Sequence, residues 1–458
     1  MDAFIQQVRE GNVTVLNINL DKNGLLIAAL QKELQNRYQD DSTLDRYVEG
    51  AQLHDGRWTR FNVLVCSFLR YCRDVNPWSL WESSDLLFTC YQDLGNCLLQ
   101  DSYPIEGLVG LFKEETEWIV PRAVRLDSNR KLVGTKKHLF VQHVASVISK
   151  VFNSIKGRVD EAASAYAALP AKQQILLYVA NQLNNIYFRI DSPSSCANIF
   201  KNIQPKSMIE HFQQYPIEEQ VEYRYLLGRY YLSSYRISDA FAQLLRAFQD
   251  LCALARAAQA PVPVLQRNMV RVLRYLVPAG IILGRPPPFA LLESLAPALG
   301  RSYSELIHAL KTGNLQAMHQ WLRSHEDELR RRRLLLLMLE KLPLLAYRNL
   351  LRRVFQIVAL PAYSNRIPYA AVETALRLSI GSPEPTAPPI YRLVHTPDNA
   401  ENVLVTLINY SFLRGNCFPL NRMCVTMKTT NLLDVFPAIT PKIASKFPQN
   451  HDDAWLDS

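Results

Sequence analysis

The sequence predicts a mostly α-helical chain, a helical-repeat (TPR-like) solenoid closed by a C-terminal winged helix. Three observations predict it. Apolar residues recur at helical spacing through most of the first 360 positions, while glycine is scarce at 16 of 458 residues. Residues 221–247 fit the spacing of a helix-turn-helix repeat. Residues 401–429, ENVLVTLINYSFLRGNCFPLNRMCVTMKT, run a helical pattern into a glycine and then into two short strands.

The elements follow in order. LIAALQKELQNRY (26–38) has helical spacing, and RFNVLVCSFLRYCRDVNPW (60–78) is an apolar-rich helix stopped by Asn76-Pro77. KKHLFVQHVASVISKVFNSIKG (136–157) is a further helix with Gly157 as its end signal. Strand signals are nearly absent before residue 415. In the repeat, Leu227-Gly228 is followed by Tyr231, Ala240 and Ala247; small residues let two antiparallel helices approach and Tyr231 fills the gap. The position for the repeat's first tryptophan holds Arg224. One such unit cannot bury its own face, so neighbours are expected to stack on it. The pattern continues through 266–284, 303–325 and 331–358. Proline-rich breaks at 285–289 and 381–390 are expected as surface loops.

The last folded part is 366–430. PYAAVETALRLSI is its first helix. Asp398 and Glu401 stand at capping-box spacing for a second, over 399–413, whose Val403, Leu404, Leu407 and Ile408 should face the core. Gly415 is expected to end that helix, and a hairpin should turn around Pro419–Arg422.

Charge and motifs narrow the function classes. The chain carries 51 Lys and Arg against 42 Asp and Glu, a formal charge of +9, which favours nucleic acid, acidic partners or anionic surfaces. The start MDAFIQQVREGN lacks the features of a signal peptide, and no apolar stretch is long enough to span a membrane. Eight cysteines without a C-x-x-C spacing read as free thiols of an intracellular protein. Phosphate-binding loops, G-x-S-x-G and H-E-x-x-H are missing. His319 and His325, six apart, do not stand at ligand spacing, and the pairs Glu115/Glu117 and Glu326/Glu328 read as solvated helix faces. No enzyme, cofactor or metal site is expected.

Two groups of cations remain. Around the 399–413 helix stand Arg392, Arg414, Arg422 and Lys428, while the helix itself turns neutral Asn402, Thr406 and Asn409 outward. A groove-reading helix brings Arg or Lys to base edges. Here the arrangement suits phosphate contacts beside a docking helix. Residues 330–366 hold nine Arg or Lys and one acid, a net +8. Within them Arg348 and Arg352 share a helix face, Arg353 adjoins them, and Leu351, Val354, Phe355 and Val358 should point to the core. Tyrosines and leucines at 223–235 and 334–351 look exposed, which implies partner-dependent solubility.

The stretches YLLGRYYL (225–232), RYLVPAGIILG (274–284), LKTGNLQAMHQWLRSH (310–325), LEKLPLLAYRNLLRRVF (339–355) and the winged helix resemble the PCI domain-containing protein 2 family. RDVNPWSLWESSDLLF (73–88), residues 182–208 and residues 401–420 resemble its fungal form, the PCI subunit of the transcription-and-export complex 2. The resemblance implies an N-terminal helical region (1–160), the helical-repeat (161–365) and winged-helix (366–440) parts of a PCI domain, and a tail (441–458). It implies an adaptor in the nucleus, at the nuclear face of the pore, coupling transcription to mRNA export. Its partners would be a larger PCI-containing scaffold subunit, a small acidic Dss/Sem-type peptide, and RNA or DNA. Nucleic acid would fall to Arg392, Arg414, Arg422, Lys428, Arg348, Arg352 and Arg353, and partners to Asn402, Thr406, Asn409, Arg331 and Arg332. A basic groove for the acidic peptide is a rival use of the 330–366 arginines. Two other classes stay open: a pure scaffold such as the signalosome-associated paralogue, and a helical enzyme with an unrecognised site.

Overall fold

The computed structural model describes the chain except residues 130–133, 135–136, 158–164, 259–261, 383–387, 392–397, 451–452 and 458, and does not place the side chains of Pro389 and Asp398. The described residues are mostly helical, with one small sheet near the C-terminus. Contacts divide the chain into two units, Met1–Tyr223 with Asp453–Ser458, and Arg224–Asp452. The division falls inside helix Ile217–Ser233, whereas the sequence sets its first boundary at 160/161.

In the first unit, helix Thr59–Asp74 buries Phe61, Leu64, Val65, Phe68, Leu69 and Cys72, the spacing of one apolar face, and stops at Val75 ahead of Pro77. Phe68 stacks on Phe4 at 5.7 Å, and Trp58 stacks on Phe61 at 4.9 Å and on Tyr103 at 4.8 Å. Helix Ser84–Cys97 passes helix Leu139–Ser154 closely at Gly95, where a Cβ would meet Val147 at 2.6 Å. The latter helix ends at Ser154, before the predicted stop; Gly157 instead lets the chain pass the carbonyls of Pro205 and Lys206. Glu115 is not on a solvated face. It is fully buried, one oxygen accepts the Ile18 N–H at 3.2 Å, and burial pushes its pKa up to about 8.

The second unit contains the predicted repeat. Helices Ile217–Ser233 and Ile237–Ala257 meet at Gly228, where a Cβ would lie 2.6 Å from Leu244 Cγ. Leu227, Tyr231, Ala240 and Ala247 are all buried between or beside them. Arg224, in the tryptophan position, is buried too and donates to Gln243 Oε1 at 2.8 Å. Most of the aromatic and leucine residues that look exposed in the sequence are core; Tyr235 and Leu336 are the ones that reach solvent appreciably. The 303–325 pattern is two helices, Pro297–Thr312 and Leu315–Ser324. Gly313 breaks them at φ +67°, and Asn314 caps the second through the Ala317 N–H at 2.9 Å. Helix Leu335–Val354 continues as a π turn over Phe355–Ala359. Leu351, Val354 and Phe355 are buried, but Val358 is exposed because that turn rotates it off the core face.

The winged helix holds a strand the sequence does not announce. β1 (Arg366–Pro368), β2 (Gly415–Phe418) and β3 (Met423–Thr426) form an antiparallel sheet in the order β1-β3-β2. Helix Asp398–Asn409 ends earlier than predicted. Its stop is Ser411 at φ +57°, with the Phe412 N–H reaching back to Leu407 O at 2.8 Å, and not Gly415. Gly415 begins β2, where a Cβ would crowd the Val425 carbonyl at 2.9 Å. The residues after β3 fold: helix Ile439–Lys446 occupies part of the expected tail.

Candidate nucleic-acid and partner interface

Helix Asp398–Asn409 buries Val403, Leu404 and Leu407, with Ile408 only half-buried. This leaves Asn402 and Asn409 exposed and Thr406 half-exposed. Asn402 and Thr406 line a cavity of about 250 Å³ together with Tyr347, Leu376, Ile380, Asn399 and Val403. The walls of this cavity come from helices Leu335–Val354, Tyr369–Ile380 and Asp398–Asn409.

The cations around this helix behave differently from one another. Arg414 and Lys428 face solvent. Arg422, at the hairpin turn with φ +48°, also faces solvent, but its guanidinium pairs with Glu373 at 2.6 Å on helix Tyr369–Ile380. Arg392 lies outside the described residues. Lys446, which the sequence places in the tail, stands 5.9 Å from the Tyr410 ring centre at the end of the neutral helix. Only the folding of 439–446 reveals it.

Pairing and burial thin the basic run at 330–366. Arg348 is only 5% exposed. Its guanidinium donates to the carbonyls of Phe436 at 3.1 Å and Pro437 at 2.8 Å, and to Asn349 Oδ1 at 3.0 Å. Burial, with Arg352 nearby, pushes its pKa down to about 10. It is a staple for the chain leaving the wing and is withdrawn from the predicted nucleic-acid face. Arg330 pairs with Glu326 and Arg332 with Glu328, one helical turn back and outside the counted window. The same glutamates are therefore not free solvated charges; Glu326 also accepts from the Tyr391 hydroxyl at 3.0 Å. Lys341 is buried and pairs with Glu340 at 2.5 Å. Arg331 stays exposed, its Nε donating to the Asp327 carbonyl at 3.1 Å, and Arg352 is half-buried.

Arg353 is exposed and belongs to a groove of about 950 Å³ between helices Pro297–Thr312, Leu335–Val354 and Tyr369–Ile380. Ile357 and Leu378 supply exposed apolar wall, while Arg301, Glu305 and His308 supply polar edge.

Among the described residues no group of three His, Cys, Asp or Glu could hold a metal ion, and no helix is long and apolar enough to cross a membrane. His325 stacks on Trp321 at 4.2 Å and bonds Ser302 Oγ at 2.9 Å, while His319 is buried and its pKa lowered by desolvation.

A family model described as the PCI domain matches residues 322–428. Nuclear mRNA export protein THP1 of Saccharomyces cerevisiae is 44% identical over 462 residues, 99% of each chain. A PCI domain-containing protein 2 homolog of Dictyostelium discoideum is 23% identical over 80% of this chain and 79% of its own. A protein CSN12 homolog of Gibberella zeae is 29% identical over 52% of this chain and 50% of its own.

Proposed function

This chain belongs to the PCI-domain family of nuclear mRNA export protein THP1, and from that membership we propose that it is a non-catalytic adaptor subunit of a nuclear mRNA export complex. It works in the nucleus, at the pore face, beside a larger PCI-containing scaffold subunit. The observation that carries the docking mode is the winged-helix surface: the cavity at Asn402 and Thr406, with Arg414 and Lys428 in solvent. The cavity and Asn409 dock the protein partner. Arg414, Arg422 and Lys428 hold phosphates without reading sequence, with Arg392 as a fourth. Arg353 belongs with the acidic Dss/Sem-type peptide, because with Arg301 it borders a groove with an apolar wall, the surface an acidic amphipathic segment needs, although Glu305 lines the same edge. Arg331 and Arg332 serve partner binding, Arg332 only after release from Glu328.

The test is reconstitution of the full chain with its scaffold subunit and the acidic peptide, followed by nucleic-acid titration at several salt concentrations. Replacing Arg414, Arg422 and Lys428 with alanine should weaken binding to every sequence alike. It should also flatten the slope of log K against log salt by roughly 0.7–0.9 per lost contact. An unchanged slope with partners still bound would favour the second reading, a pure protein scaffold. Two observations lean that way: the neutralised arginines at 330 and 332 and the Arg422–Glu373 pair.

A further inference from the structure

Cys417 on β2 and Cys424 on β3 are direct cross-strand partners in the wing. The backbone hydrogen-bond ladder fixes which kind of pair they form. The Thr426 N–H donates to Asn365 O at 2.8 Å, and the Tyr369 N–H donates to Arg422 O at 2.9 Å. Bonded pairs alternate along an antiparallel ladder, so Ile367 and Cys424 are a bonded pair toward β1. The backbone groups of Cys424 then point away from β2, and Cys417–Cys424 is a non-hydrogen-bonded pair. In such pairs the Cα atoms approach to about 4.5 Å with both side chains on one face. That separation lies at the near edge of the roughly 4.4–6.8 Å range a disulfide tolerates. The Tyr369 side chain is buried nearby with its hydroxyl lacking a hydrogen-bond partner, and Cys417 raises the pKa of both Tyr369 and Cys424 beyond what burial does.

We propose that Cys417 and Cys424 form a reversible disulfide site in the wing, oxidised by low-molecular-weight disulfides such as glutathione disulfide. Cys417 is partly open to solvent and Cys424 is buried. The Cys417 thiolate attacks one sulfur of glutathione disulfide and expels a glutathione thiolate. Cys424 then gives its proton to solvent base and attacks Cys417 Sγ, expelling the second glutathione. The protein loses two thiol protons and two electrons, and glutathione disulfide takes them up to become two glutathiones. Burial and the neighbouring sulfur push the Cys424 thiol up to about 12, which makes the second step the slow one. The bond ties β2 to β3 between Arg414 and Lys428, so oxidation would fix the spread of the wing that carries them. Among the other cysteines, Cys66, Cys72, Cys90, Cys97 and Cys196 are buried.

The experiment equilibrates the full chain with graded ratios of glutathione disulfide to glutathione, blocks remaining thiols, and maps peptides by mass spectrometry without reduction. A Cys417–Cys424 linked peptide that rises with the ratio and disappears on return to excess glutathione supports the proposal. Cys424→Ser should then trap glutathione on Cys417, and Cys417→Ser should leave Cys424 unmodified. The wild-type map needs neither variant, so a folding defect in either leaves the result readable. Persistent glutathione on wild-type Cys417 without the link, links to other cysteines, or no modification at any ratio would each overturn it.

Discussion

Arg348 separates a stability role from a binding role, and replacing it with alanine tests the separation. The substitution removes three hydrogen bonds and leaves the carbonyls of Phe436 and Pro437 without their donor in a buried setting. An unsatisfied buried acceptor costs about 1–3 kcal/mol, partly offset because a cation is no longer held out of water. The net expectation is a loss of roughly 2–4 kcal/mol. For a unit of this size each kcal/mol shifts Tm by about 2–4 °C, so the second unit should melt about 5–15 °C lower. Arg353→Ala, exposed and without a buried partner, should stay within about 0.5 kcal/mol of wild type. Thermal unfolding of the full chain followed by circular dichroism reads both. An Arg348→Ala protein with wild-type Tm and a flattened salt slope for nucleic acid would refute the assignment and return Arg348 to the binding face.

Three further outcomes are expected. Gly228→Val should destabilise the repeat by roughly 1–3 kcal/mol, read by urea unfolding, since even a Cβ must displace Leu244; an unchanged midpoint would mean the helices can part. Glu115 has a folded pKa raised to about 8, so its contribution to stability is full below about 4.5 and is lost as pH rises through about 8. Compared with Glu115→Gln, wild type should therefore lose up to about 1.4 kcal/mol per pH unit across that window, and parallel stability curves at pH 5 and pH 8 would contradict the burial argument. Replacing Asn402, Thr406 and Asn409 with alanine should leave nucleic-acid affinity of the assembled complex almost unchanged while weakening capture of the scaffold subunit, and a sequence-selective loss of affinity would instead mark a reading helix.

Much of this fold is written in local pattern. The Leu-Gly and alanine spacing of 227–247 places two helices because close approach demands small residues at fixed offsets, and those offsets are visible in one dimension. The hairpin at 415–426 is legible for the same reason. β1 is not, because three residues have no period of their own and become a strand only through β3. The candidate site is less legible still. Arg348 and Arg352 look equivalent on their helix; what buries one is the return of Phe436 and Pro437, far along the chain. Charge counted from residue 330 misses Glu326 and Glu328, which sit one turn earlier and neutralise two of the arginines. The sequence pattern shows which residues are cations, while the tertiary contacts determine which remain available.

The stitching of the second unit sets a timetable for its synthesis. Its early helices are held by its last residues: Thr440 bonds the Gly284 carbonyl at 3.2 Å, Ser238 bonds the Phe447 carbonyl at 2.5 Å, and the Asn450 N–H bonds Asp239 at 2.9 Å. At about 5–20 residues per second, a ribosome needs roughly 10–45 s to travel from Ser238 to Asn450. For that interval the opening helices of the unit wait without their closing strap, with apolar faces available to chaperones or to a partner already made. A chain that stops short of Thr440 loses all three bonds and leaves the first-made helices of the unit permanently unlatched.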